Sequence, residues 1–168
     1  MMMTDNINNM PEDNNPRVPS VEYPFKHMVD VQIRFNDLDM LGHVNNGVYL
    51  SYFDLGKTGY FTDVATRDVD WNGINIVVVN LNVDFFAPTF INEHIAVLTQ
   101  VVSIGQKSLT MEQRLVNVQT GQVKCMARTV MAGIDLRTGQ SQPIDSVWVD
   151  DITAFEGRVL TSNLPVAE

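Results

Sequence analysis

The chain has 168 residues, of which 45% are hydrophobic and 18% are charged, and its formal net charge is −9 at pH 7. This length and composition are typical of one globular domain that buries a hydrophobic core. The negative charge argues against a nucleic-acid partner and against docking on anionic lipid, because both need a basic protein surface.

The cysteine content and the N-terminal residues indicate in which cellular compartment the protein is expected. Cys125 is the single cysteine of the chain, so no intramolecular disulfide can form, and this fits a reducing environment. The N-terminal residues lack the basic start and apolar core of a signal peptide, and no apolar run reaches transmembrane length. We therefore expect a cytoplasmic protein with no membrane partner, and no metal site is expected from the spacing of its Cys and His residues.

Residues 1–25 are rich in Asn, Pro and Asp and poor in large apolar side chains. Such a segment buries too little apolar surface to offset the entropy lost on ordering. It is predicted to be a flexible tail unless a partner subunit holds it. Residues 26–168 are then expected to form a single domain.

The regular elements follow from hydrophobic periodicity. Val31, Ile33 and Phe35 alternate with polar residues and predict a first strand. A helix is predicted over residues 46–62, where apolar residues recur at intervals of three and four. From residue 74 the pattern is that of strands joined by short turns, which favours an antiparallel meander. The four predicted strands lie in INIVVVNLNVDFF, EHIAVLTQVVSI, SLTMEQRLVNV and VKCMARTVMAGIDL, and a short helix is predicted within DSVWVDDITAFEGRVL.

This order predicts an α+β fold in which one long helix packs against a large curved sheet. A single helix covers only part of such a sheet, so a monomer would leave apolar sheet surface exposed. The chain is therefore expected to form a homodimer or a tetramer.

Between the first strand and the helix, the stretch FNDLDMLGHVNNGVY concentrates polar side chains. Asn45 or Asn46 is placed to cap the helix with its side-chain oxygen. The backbone N–H groups of Asn46 and Gly47 would then point out of the helix start and, with the helix dipole, could polarise a carbonyl group. Asp39 and His43 lie just upstream and could face the same point, an arrangement suited to acyl transfer.

The same stretch has a purely structural interpretation. Asp37 and Asp39 can stabilise turns by accepting nearby backbone N–H groups, and His43 can bond to a loop carbonyl. Composition alone favours this structural interpretation.

Residues 34–54, RFNDLDMLGHVNNGVYLSYFD, resemble the first strand, loop and central helix of the hotdog-fold acyl-CoA thioesterases of the 4-hydroxybenzoyl-CoA thioesterase type. They are also similar to the D-L-D…H-V-N-N element of plant acyl-carrier-protein thioesterases. The element order, FFAPTF before a strand and SIGQKSLTME at a turn extend the resemblance over about residues 31–144.

The resemblance implies a hotdog fold, in which a curved antiparallel sheet wraps around a long central helix. It implies hydrolysis of an acyl-CoA or acyl-carrier-protein thioester at a dimer interface. No cofactor is implied, since coenzyme A belongs to the substrate. The alternatives are an acyl-thioester dehydratase and a non-catalytic acyl-CoA-binding or regulatory module.

The resemblance also assigns roles to residues. Asp39 matches the catalytic carboxylate, acting as general base or nucleophile, and the N–H near Asn46 matches the group that polarises the thioester carbonyl. His43 matches the catalytic histidine of the plant-type enzymes, whereas their catalytic Asn falls on Leu41. This departure favours a mechanism that uses one carboxylate and the helix amides, which can suffice because a thiol is a good leaving group.

Substrate contacts are predicted for Asn45, Tyr49 and Asp54, although a structural role for Asp54 is favoured. Lys107, in the turn GQK, is the best candidate for binding the phosphates of coenzyme A. The further basic candidates are Arg114, Lys124, Arg128 and Arg137.

Overall fold

The computed structural model describes residues 3–161. Its helices are α1 (Met3–Asn8), α2 (Val48–Val64) and α3 (Ser146–Glu156). Its strands are β1 (His27–Val31), β2 (Ile76–Phe85), β3 (Ile95–Ile104), β4 (Ser108–Asn117) and β5 (Val123–Gly133). The strands form one antiparallel sheet in the order β1-β3-β4-β5-β2. The α+β class, the long helix and the antiparallel pairing agree with the predictions. The predicted four-strand meander is wrong in one respect: only β3, β4 and β5 are consecutive neighbours, and β2 crosses over to pair with β5 at the edge instead of with β3.

The first strand lies earlier than its apolar alternation predicted. β1 ends at Val31, and the chain then leaves the sheet and makes a short 3₁₀ turn at Phe35–Asp37. The backbone N–H of Arg34 donates to the Asp37 carboxylate at 2.8 Å, which stabilises this departure. Phe35, which was predicted to belong to the strand, lies in this turn and is 81% exposed.

Helix α2 lies unusually close to the inner face of the sheet. Its buried side is mainly aromatic and includes Tyr49, Tyr52, Phe53, Tyr60 and Phe61. A Cβ atom added at Gly59 would lie 2.7 Å from a methyl group of Val29, and one added at Gly56 would clash with Val97. The two glycines therefore allow the helix backbone to approach β1 and β3, although glycine lowers the intrinsic helix propensity.

The N-terminal segment packs on the opposite face of the sheet rather than standing free as a tail. Within residues 6–25, Ile7, Met10, Val18 and Phe25 join a cluster that includes Leu98 and Val116. Two polar contacts reinforce it: Asp13 accepts the N–H of Val123 at 2.7 Å, and the carbonyl of Pro19 accepts a guanidinium N–H of Arg114 at 2.7 Å. The segment need not form a core of its own, because its few apolar side chains meet a surface that the sheet already provides.

The exposed part of the sheet is an edge rather than a face. β2 pairs only with β5 and is the edge strand of the sheet on that side. Apolar side chains at its centre are exposed, namely Val78, Val79 and Leu81. A long edge with apolar side chains is a template for pairing with another chain.

Candidate active site

The polar stretch between β1 and α2 folds into a small hairpin, residues 37–45, which we call the polar hairpin. Leu38 and Val44 pair across it, and the backbone N–H of Asn45 donates to the carbonyl of Asp37 at 2.8 Å. These bonds bring the hairpin directly to the start of α2, three residues further on.

Asp39 lies at the tip of the polar hairpin. The N–H of Gly42 closes the turn on the Asp39 carbonyl at 3.1 Å, and Gly42 has φ +79°, a backbone conformation that glycine adopts without strain. One carboxylate oxygen of Asp39 accepts the N–H of Leu41 at 2.8 Å. The other carboxylate oxygen has no hydrogen bond within residues 3–161. Asp39 thus stabilises the turn, as the structural interpretation predicted, and its second oxygen remains unbonded within the described residues.

The helix start differs in detail from the prediction. α2 begins at Val48, so Gly47 rather than Asn45 or Asn46 occupies the capping position. The side-chain oxygen of Asn45 accepts the N–H of Gly47 at 2.9 Å. The Gly47 N–H, predicted as an oxyanion donor, is therefore already bonded. In the described part of the chain the N–H of Asn46 has no acceptor, which leaves it as the available donor at this junction.

His43 lies opposite Asp39 in the polar hairpin. Its carbonyl accepts the N–H of Asp39 at 2.9 Å. Its half-buried ring packs edge-on against Phe90, with 5.5 Å between the ring centroids. The predicted alternative, a side-chain bond from His43 to a loop carbonyl, is not found among the described residues.

Residues 33–153 match the sequence model of a family described as the Thioesterase-like superfamily. The chain belongs to this superfamily. The match spans the polar hairpin, α2 and the whole meander.

Individual relatives agree with the superfamily assignment. A thioesterase from Thermus thermophilus, solved in complex with coenzyme A and zinc, is 33% identical, with 81% of this chain and 98% of that chain covered and a TM-score of 0.71. The long-chain acyl-CoA thioesterase FadM of Escherichia coli is 25% identical over 68% of this chain and 88% of its own length. A 1,4-dihydroxy-2-naphthoyl-CoA thioesterase from Synechocystis shares the fold alone, at 16% identity and a TM-score of 0.68 over 75% of this chain and 94% of that one. The predicted hotdog fold and thioesterase family are confirmed.

Two residues that bond to the polar hairpin, Tyr52 and Thr89, were not predicted from the sequence. The hydroxyl of Tyr52 donates to the Asp37 carboxylate at 2.7 Å, and burial, together with that carboxylate, raises the pKa of Tyr52. Thr89 is fully buried, and its carbonyl accepts the N–H of Val44 at 2.9 Å. The available signals were the tyrosines three residues apart in YLSY and the Thr within FFAPTF.

The structure does not favour Tyr49 and Asp54 as substrate contacts. Tyr49 is only 2% exposed, and its hydroxyl donates to that of Thr89 at 2.9 Å, so it is committed within the protein. Asp54 lies on the outer surface of α2 and forms an exposed ion pair with Lys57 at 2.7 Å. A cleft of about 300 Å³ borders this helix and is lined by Gln32, Arg34, Asp37, Val48, Ser51, Tyr52 and Leu55.

The predicted phosphate-binding residues differ in availability. Arg114 and Lys124 are buried and occupied: Arg114 bonds to Pro19 and Glu112, and Lys124 lies 2.6 Å from Glu93. Both are therefore poor candidates for a phosphate, because their bonds are already made within the protein. The exposed candidates are Lys107, Arg128 and Arg137.

Lys107 lies at the far end of the sheet from the polar hairpin. β3 starts at Ile95, paired with Val31, and ends at Ile104, just before the turn that holds Lys107. Nine residue steps along a strand span about 30 Å. Lys107 therefore cannot contact a reacting group held by Asp39 of the same subunit.

Within residues 3–161, no group of three or more His, Cys, Asp or Glu side chains is arranged to hold a metal ion. None of the described helices is long and apolar enough to cross a membrane.

Proposed function

We propose that this protein hydrolyses an acyl-CoA thioester, with Asp39 as the reacting carboxylate and the backbone N–H of Asn46 as the donor to the carbonyl oxygen. The observation that carries the proposal is that the polar hairpin and the residue after it hold a carboxylate oxygen, on Asp39, and an amide N–H, on Asn46, that have no partner within residues 3–161. The superfamily, the acyl-CoA substrate of FadM and the coenzyme A in the Thermus thermophilus structure support the same chemistry.

The reaction breaks the bond between the acyl carbon and sulfur and adds the elements of water. In one route, Asp39 takes a proton from water, and the water oxygen attacks the thioester carbonyl. The charge that develops on the carbonyl oxygen is stabilised by the Asn46 N–H. The tetrahedral intermediate then expels the thiolate, which receives the proton from Asp39 and leaves as the free thiol.

In the second route, the Asp39 carboxylate itself attacks the carbonyl carbon and expels the thiolate. A mixed anhydride forms, and water hydrolyses it to release the acid and restore the carboxylate. His43, directly across the polar hairpin, is a second group that can move a proton to the thiolate. Heavy oxygen from labelled water that appears in the Asp39 carboxylate after turnover identifies the anhydride route.

Two copies of the chain would complete the site by pairing along β2. A two-fold axis through the middle of the strand sets Ile76 of one copy against Phe85 of the other, as an isologous antiparallel pair. Lys107 lies beside this Ile76 end, since its carbonyl accepts the N–H of Gly133, which is paired with Ile76. Lys107 of the partner subunit would then lie about 15 Å from Phe85, three strand spacings away, where the phosphates of a bound coenzyme A could reach it.

The cytoplasmic location and the choice of coenzyme A over a carrier protein are parts of the same proposal. The single cysteine, Cys125, is consistent with a reducing compartment, since the chain does not rely on an intramolecular disulfide. The net charge of −9 disfavours a protein carrier that is itself acidic.

Thiol release from short-chain, long-chain and aromatic acyl-CoAs tests the function. The Asp39→Asn variant keeps an oxygen that can accept the Leu41 N–H but loses the charge, and we expect a fall in kcat of about 100-fold or more, since the variant has neither base nor nucleophile. Asp54→Asn is the matched control, because that carboxylate lies on the helix surface, and it should keep wild-type turnover. Wild-type turnover in Asp39→Asn would exclude the proposed mechanism, and binding without thiol release would point to the binding-module alternative.

A further inference from the structure

The polar hairpin is attached to α2 on one side through Asp37. The carboxylate oxygen Oδ2 of Asp37 accepts the hydroxyl of Tyr52 at 2.7 Å and the N–H of Arg34 at 2.8 Å. The carbonyl of the same residue accepts the N–H of Asn45. Asp37 thus links the second turn of the helix, the start of the hairpin and the residue that precedes Asn46.

The other side of the polar hairpin is attached to the same helix through Thr89. The hydroxyl of Tyr49 donates to the hydroxyl of Thr89 at 2.9 Å, and the Thr89 carbonyl accepts the N–H of Val44 at 2.9 Å. Tyr49 and Thr89 are both buried, so this connection excludes water. Tyr49 and Tyr52 are three residues apart and therefore lie on one face of the helix.

The two attachments, through Asp37 and Thr89, hold the polar hairpin at a fixed position against α2, which the hairpin's own backbone bonds do not do. The backbone bonds within residues 37–45 fix the shape of the hairpin, but they do not fix its distance from the body of α2. The tip is otherwise open to solvent, since Met40 and Leu41 are exposed. Both tyrosines belong to α2, which begins two residues after Asn46, so they place the hairpin relative to that donor.

We propose that Tyr49 and Tyr52 are positioning residues that hold Asp39 at its working distance from the Asn46 amide. The inference rests on the function proposed above, in which these two groups act on one thioester carbonyl. Neither tyrosine needs to touch the substrate. Each acts through a second residue, Tyr52 through Asp37 and Tyr49 through Thr89.

The decisive variant is Tyr52→Phe, which keeps the ring in its packing and removes only the bond to Asp37. A displacement of about 1 Å at a reacting group can cost about 100-fold in rate. We expect kcat to fall by at least about tenfold while KM stays within about twofold of wild type, because ground-state binding is unchanged. Tyr49→Phe should act in the same direction through Val44.

Tyr60→Phe is the matched control. Tyr60 lies on the same helix, is fully buried and donates its hydroxyl to Glu156 at 2.6 Å, far along the chain from the polar hairpin. It should lower the melting temperature without changing kcat of the folded enzyme. Equal kcat values for Tyr52→Phe and Tyr60→Phe at temperatures where both are folded would overturn the proposal.

A second measurement does not depend on turnover. Hydrogen exchange of the Asn45 and Val44 amides reports how firmly the polar hairpin is held, and Tyr52→Phe should accelerate it whereas Tyr60→Phe should not. Unchanged exchange in Tyr52→Phe would refute positioning even if kcat fell. If Asp39→Asn kept full activity, the proposed function would fail by itself, and the exchange data would still decide whether the tyrosines hold the hairpin.

Discussion

The buried carboxylate of Glu156, at the end of α3, is predicted to contribute strongly to the stability of the fold. Glu156 is 2% exposed, and one of its oxygens accepts the Tyr60 hydroxyl at 2.6 Å and the Val101 N–H at 2.9 Å. The other oxygen accepts a guanidinium N–H of Arg158 at 3.0 Å. Burial and the adjacent carboxylate raise the pKa of Tyr60, so the phenol is a committed donor.

Glu156→Ala would leave the guanidinium of Arg158, whose side chain is 14% exposed, without its counter-charge, and would also free the Tyr60 hydroxyl and the Val101 N–H. Breaking a buried ion pair by removing one partner costs about 3–5 kcal/mol. Against a total free energy of unfolding of about 5–15 kcal/mol for a domain, this is a large fraction.

Chemical denaturation measures the effect directly, and Asp54→Ala is the control because its ion pair with Lys57 is exposed and is worth about 0.5 kcal/mol. A loss below about 1 kcal/mol for Glu156→Ala would refute the reasoning, since it would show that the network contributes no more than a surface pair.

Two further predictions concern pH and assembly. Burial lowers the pKa of His27, against the opposing effect of Asp63 at 3.1 Å and of Glu156, so the unfolded chain binds more protons below its pKa of about 6.5. The contribution of His27 to the free energy of unfolding should therefore be complete above about pH 6.5 and should fall as the pH drops from there through the pKa of the folded state. Denaturation curves at several pH values should show a shallower fall of the free energy of unfolding for His27→Gln than for the wild type. Parallel pH dependences for the two proteins would contradict an origin in His27. Leu81→Lys places two like charges near the two-fold axis of the proposed β2 pair and should shift sedimentation from dimer to monomer. Leu136→Lys, an exposed site outside the strands, should leave assembly unchanged, and a dimer that survives Leu81→Lys would exclude pairing at this edge.

The sequence determined the elements whose causes are local. Long apolar, β-branched runs joined by short turns specified the four strands after residue 74, and three- and four-residue spacing of apolar residues specified α2. The polar stretch before the helix indicated where the chain turns and the helix starts, since Asn, Asp and Gly at such spacing favour both. The resemblance carried by the same residues supplied the family.

Only the tertiary structure decided which polar groups remain free. In the folded chain the Asp37 carboxylate accepts the Tyr52 hydroxyl, whereas one carboxylate oxygen of Asp39 has no partner among the described residues. The Gly47 N–H donates to the Asn45 side chain, whereas the Asn46 N–H has no acceptor among the described residues. The tertiary structure also packed the N-terminal segment on the outer face of the sheet and moved Lys107 to the far end of the sheet. The physical reason is that each outcome depends on where partners distant in the chain come to lie, as for Tyr49 and Thr89, which are 40 residues apart, and periodicity along the chain does not encode that distance.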